Sequence, residues 1–177
     1  MSLKLIFAIF FATVLAEVPS IPTYPMGFWI KSSFTRAPKL VIDAFWDPLC
    51  PDTLDSKNEI EKMGKLIDDD KYDWELNIHL MALPYHKNSF MILQGAHYIW
   101  DFYNTKGDYN DAINIVYSYM NLTLVNWVEL GTAATMNMTG NECKEYIYKI
   151  TNLTKSDPTF SHDDFINALT YGNKYDT

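Results

Sequence analysis

Hydrophobic and polar positions follow two different periods along this chain, and the changes of period mark out its elements. Leu40 to Trp46 is an apolar, β-branched and aromatic run broken only by Asp43, which predicts a buried strand over residues 39 to 46. A short turn with Pro48 follows, then Cys50, then Pro51 where a helix takes its first residue. Residues 51 to 68 switch to helical spacing. Ile60, Met63 and Ile67 share one face, and Lys57, Glu61 and Lys65 share another. Asp52 adds a negative charge to the first turn, as the helix dipole favours. Trp74 to Leu83 returns to period two. Trp74, Leu76, Ile78, Leu80 and Ala82 form one face, and Glu75, Asn77, His79 and Met81 form a wetter one. Strand, helix, strand in this order predicts a parallel βαβ unit with a right-handed crossover.

The flanks read differently. Residues 17 to 38 carry Pro19, Pro22, Pro25 and Pro38 and predict an extended segment, with a short strand at Gly27 to Ile30. After residue 88 the pattern is helical. Ser89 can cap a helix through Tyr103, Asp108 or Asn110 can start another through Met120, and residues 124 to 135 form a third. Thr139-x-x-Glu142 and Ser161-x-x-Asp164 resemble capping boxes that open helices through about Ile150 and Tyr171.

Composition narrows the class. The chain has 177 residues and a net charge of −8, which argues against nucleic acid and anionic membranes as electrostatic partners. Lys4 precedes Leu5 to Leu15, apolar except for Thr13, and Val14-Leu15-Ala16 suits a cut after Ala16. Residues 1 to 16 therefore predict a secretory signal peptide, since a membrane anchor needs about 20 apolar residues. No later segment is apolar enough to span, so a secreted or lumenal protein is expected. Behind such a leader, the sequons at Asn121, Asn137 and Asn152 become glycosylation sites that must lie on the surface. An oxidising compartment also invites a disulfide between Cys50 and Cys143. Spacing does not decide that pairing, and a Cys-Pro turn favours an outward, reactive thiol. A thiol at the start of a helix sits at the positive end of the dipole, where thiolate is favoured.

Phe45-Trp46-Asp47-Pro48-Leu49-Cys50-Pro51-Asp52-Thr53, set between a strand and a helix, resembles the DsbA-like branch of the thioredoxin superfamily. Leu83-Pro84-Tyr85-His86-Lys87-Asn88-Ser89-Phe90, entering a helix after the second strand, is similar to eukaryotic members of that branch. The likeness covers about residues 38 to 155. It implies an α/β, thioredoxin-like domain over 39 to 177, with a DsbA-type helical insertion over about 89 to 155. It also implies thiol–disulfide chemistry at Cys50 and Pro51, with His86 lining the groove beside them.

Three departures qualify it. Members carry Cys-x-x-Cys, whereas the resolving position here holds Thr53. Cys50 can attack a disulfide, but release of the mixed disulfide then needs an outside thiol. The expected activity is at most weak monothiol exchange with protein thiols or disulfides, with Thr53 donating a hydrogen bond to the thiolate. The alternative is a redox-inactive secreted glycoprotein that binds another protein. Second, Asp43 falls one residue away from the family's buried relay acid, which turns it to the opposite face. Third, Pro158 precedes a helix cap and reads as a trans loop proline, not as the start of the family's closing strand. The expectation is that the C-terminal ββα half is missing, through a truncated reading frame or through divergence. The unpaired sheet edge would then invite a partner chain.

No other chemistry competes. His79, His86, His97 and His162 show no metal-ligand spacing, and no Gly-rich phosphate loop or G-x-S-x-G is present. No metal or cofactor is predicted. His79 and His97 read as packing or surface residues, and Tyr98, Trp100, Phe102 and Tyr103 as helix packing.

Overall fold

A computed structural model describes residues 27–31, 40–69, 73–86, 88–107, 109–131, 138–153 and 157–170. The fold is mixed α/β. The order is β1 (Phe28–Lys31), β2 (Leu40–Trp46), α1 (Pro51–Asp69), β3 (Trp74–Leu80), α2 (Ser89–Asn104), α3 (Tyr109–Val125), α4 (Trp127–Gly131), α5 (Gly140–Thr151) and α6 (His162–Ala168). The predicted leader, residues 1 to 16, lies outside the described residues.

The strands form one sheet in the order β1-β3-β2. β2 pairs with β3 in parallel from Leu40↔Trp74 to Trp46↔Leu80, as strand–helix–strand order predicts. β1 pairs antiparallel with β3, Phe28 opposite Ile78, with a bulge between Trp29 and Lys31. Alternation then assigns the faces. Phe28, Ala44, Trp46, Trp74, Leu76 and Ile78 share the inner face and are all buried. Helix α1 packs on this face so closely that a Cβ at Gly64 would sit 2.5 Å from the Trp74 ring. Phe28 meets α2 through His97 and Trp100, at ring-centroid distances of 5.4 and 5.9 Å. Burial holds the His97 imidazole below its ordinary pKa.

The helical side has its own close contacts. A Cβ at Gly95 would fall 2.4 Å from the Tyr119 hydroxyl and 3.0 Å from Leu169, so α2 touches α3 and the end of α6 where only glycine fits. The buried Tyr119 hydroxyl donates to the Ile92 carbonyl at 3.1 Å, and burial raises its pKa. Helix α5 opens on the predicted capping box. Thr139 N–H donates to Glu142 Oε2 at 2.7 Å, and Glu142 N–H donates back to Thr139 Oγ1 at 3.3 Å. Ser161 caps α6 by accepting from Asp164 N–H at 3.2 Å. His162 ties α6 to α5, lying 2.9 Å from Glu145 and 2.8 Å from Asp163.

Several expectations need correction. β3 stops at Leu80: Met81 N–H makes the last ladder bond, to the Trp46 carbonyl, and the chain then turns, with Leu83 N–H on the Asp47 carboxylate. The polar face of β3 is wet only at its end. Glu75 and Asn77 are buried, because β3 is the central strand and Asn77 is drawn to Asp43. Helix α3 runs on to Val125, since no glycine or proline stops it at Met120. The break comes at Asn126, whose side chain donates to the Leu122 carbonyl at 2.7 Å. Residues 132 to 135 of the predicted third helix are not described. Ser89 is the first residue of α2 and does not cap it, because its hydroxyl is given to Asp47. Pro158 lies in a turn closed by Phe160 N–H to the Asp157 carbonyl, and no cis peptide occurs among the described residues.

Candidate functional site

The site is assembled where β2 ends. Asp47 N–H cannot continue a ladder beyond the strand and donates instead to Thr53 Oγ1 at 3.2 Å, one helical turn into α1. Cys50 N–H donates to the Asp47 carbonyl at 3.1 Å, closing the Pro48-Leu49 turn. The Cys50 carbonyl accepts from Thr53 and Leu54 N–H at 3.1 and 3.3 Å, so Cys50 occupies the position before the first helical residue. Pro51 takes the first helical position, where its missing N–H costs nothing. The sulfur-bearing residue is half-buried, and Pro51 and Asp52 beside it are exposed. Neither Cys50 nor Cys143 is in a disulfide. Cys143 is buried in the helical core near Tyr119.

The centre of this arrangement is Asp47, 2% exposed, which the sequence reading did not single out. Oδ1 accepts from Leu49 N–H at 2.8 Å and from the Ser89 hydroxyl at 2.5 Å. Oδ2 accepts from Leu83 N–H at 2.6 Å and lies 3.0 Å from His86 Nδ1. A buried carboxylate is tolerable only when its lone pairs are satisfied, and here four donors converge on it. Its demand for donors folds the Leu83-Pro84-Tyr85-His86 stretch back onto the Cys50 turn. Tyr85, edge-on to His86 at 4.7 Å, is exposed. The local signal for Asp47 was an acid wedged between Trp46 and Pro48 in an apolar run.

Thr53 is tied into the same turn. It is buried, and its hydroxyl oxygen takes the Asp47 backbone N–H. Asp43 lies on the outer face of β2, away from the Cys50 turn. His79 Nε2 and Asn77 Nδ2 approach its Oδ1 at 2.9 and 3.0 Å. These hydrogen bonds, His79 first, hold the Asp43 carboxyl below its ordinary range.

The sequons separate as well. Asn121 is half-buried on α3, and Thr123 of the same triplet is buried with its hydroxyl on the Met120 carbonyl at 2.8 Å. Asn152 is exposed at the end of α5, with φ of 51°. Asn137 lies outside the described residues. Among the described residues no group of three His, Cys, Asp or Glu is placed to hold a metal, and no helix is long and apolar enough to cross a membrane. A cleft lined by Glu145, Tyr148, Lys149 and His162 shares no residue with the Cys50 turn. Comparison with protein-family models, with curated proteins and with solved structures finds no match.

Proposed function

We propose that this chain is a thioredoxin-like protein of the secretory pathway in which Cys50 is a lone nucleophilic thiol, acting at most as a weak monothiol exchanger. The observation that carries the reading is a half-buried Cys50 immediately before Pro51 of α1, reached by the Asp47-Pro48-Leu49 turn from a parallel strand. The thiolate attacks one sulfur of a partner disulfide. The partner S–S bond breaks, the departing sulfur takes the electron pair and a proton, and Cys50 is left in a mixed disulfide. With Thr53 at the resolving position, an outside thiol must attack that bond to restore Cys50.

The DsbA-like assignment rests on the two sequence stretches that Asp47 ties together, and the secretory assignment rests on the leader. Thiol alkylation across pH tests the nucleophile. Cys50 is expected to label faster than a free cysteine at the same pH, and labelling no faster refutes the reading. Thr53→Cys supplies a resolving thiol, and its expected outcome is a gain of disulfide reductase activity.

A second reading, a redox-inactive secreted glycoprotein that binds another protein, is favoured by one observation. Phe45 and Val41 are 65% and 45% exposed on a strand at the sheet edge. No reductase activity in a folded Thr53→Cys protein would favour it.

A further inference from the structure

Among the described residues, the outer edge of β2 meets no other strand. β2 is last in the order β1-β3-β2, and among the described residues it pairs only with β3. Seven residues of strand expose about 23 Å of edge. Exposed edges are usually blunted by charges, above all lysine, by proline or by a bulge, and Leu40-Val-Ile-Asp-Ala-Phe-Trp46 carries one charge, Asp43, no lysine or proline, and a regular register with β3.

The face beside this edge is built rather than merely apolar. Val41, Asp43 and Phe45 alternate along it. Phe45 is held in place by stacking on His79, at 4.7 Å between centroids and 15° between planes. Asp43 keeps about half its side chain in water. Its Oδ1 is taken by His79 and Asn77, while Oδ2 has no partner among the described residues. The result is a fixed carboxylate oxygen beside a fixed aromatic ring, flanked by apolar surface, on a strand whose outer edge is unpaired among the described residues.

We propose that the β2 edge binds an extended segment of another protein, with a lysine or arginine opposite Asp43 and β-branched or aromatic residues opposite Val41 and Phe45. Main-chain hydrogen bonds to the open edge supply affinity, and the alternate side chains supply selection. The cation pairs with Asp43 Oδ2 and lies diagonally against the Phe45 ring, where cation–π attraction adds to the pair. A second copy of this chain is a poorer occupant. Asp43 is the midpoint of β2, so two-fold antiparallel pairing at full overlap sets Asp43 against itself, in a chain of net charge −8. This inference deepens the binding-module reading and is independent of the sulfur chemistry.

The test uses the full chain and a fluorescent heptapeptide in which threonine alternates with valine, lysine and valine, beside the same peptide carrying glutamate for lysine. The lysine peptide is expected to bind wild type about fivefold more tightly than the glutamate peptide. Asp43→Lys should reverse that order, Phe45→Ala should weaken the lysine peptide, and Cys50→Ser should leave it unchanged. Bound lysine peptide should also slow amide exchange along β2 of the wild-type chain, a readout that needs no variant. Equal affinity for the two peptides, no saturable binding, an order unmoved by Asp43→Lys, loss of binding in Cys50→Ser or unchanged β2 exchange would overturn the proposal. So would a dimer by sedimentation that the peptide cannot compete with, which would assign the edge to a second copy.

Discussion

Asp43 and Asp47 leave one stretch of chain four residues apart, and the fold treats them oppositely. Asp47 lies past the strand end, is sealed from water and is met by four donors. Asp43 lies within the strand on its outer face, about half in water, and among the described residues only one of its oxygens is occupied. The same side chain therefore does two jobs. Enclosed and saturated, a carboxylate gathers loops and has nothing left to offer a ligand. Half-solvated, it contributes little to folding and keeps an oxygen for a partner. The Asp47 side of the molecule positions Cys50, and the Asp43 side remains open.

The largest expected effect separates the two by stability. Asp47→Ala strands the Ser89 hydroxyl and the Leu49 and Leu83 N–H groups without their acceptor, and releases His86. Loss of such a network should cost about 3 kcal/mol or more in urea unfolding. Asp43→Ala should cost less than about 1 kcal/mol, because an exposed pair is screened by solvent. Similar losses in the two variants would dissolve the contrast.

Much of the fold was legible in the chain, and the reason is locality. The strand, turn and helix around Cys50 follow from period and from Pro51, and the capping box of α5 from residues three apart. The Asp47 centre was not legible, because Leu83 lies 36 residues away and Ser89 lies 42 away. No periodicity reaches that far. Ser89 shows the consequence: its local context suggested a helix cap, and the distant carboxylate claimed the hydroxyl. The buried polar face of β3 was missed for a similar reason. Alternation reports which residues share a face, and only the strand order shows that β3 is central.

A smaller effect isolates one donor. Ser89→Ala removes the hydroxyl on Asp47 Oδ1 and leaves the other three contacts in place. A buried hydrogen bond to a charged acceptor suggests a loss of about 2 kcal/mol, read as a lower urea midpoint with unchanged slope. A loss as large as that of Asp47→Ala would mean that Ser89 packing, rather than the carboxylate, holds the turn.

The smallest effect lies at Asp43 and is one of charge rather than stability. Its carboxyl is held below the ordinary value of 3.8 by hydrogen bonds from His79 and then Asn77. A folded pKa below the unfolded one contributes stability that is complete above the unfolded value. That contribution is lost as pH falls through the folded value. With the carboxyl so exposed, the contribution is too small for a melting curve, so the measurement is a carbon-13 titration of the Asp43 carboxyl. The wild-type midpoint should lie below 3.8, and His79→Ala should move it up toward that value. His79→Ala also removes the stack beneath Phe45, so one substitution should both raise the Asp43 midpoint and weaken the lysine peptide. If the midpoint moves and the peptide does not respond, the carboxylate is tuned by its neighbours but is not what a bound strand reads.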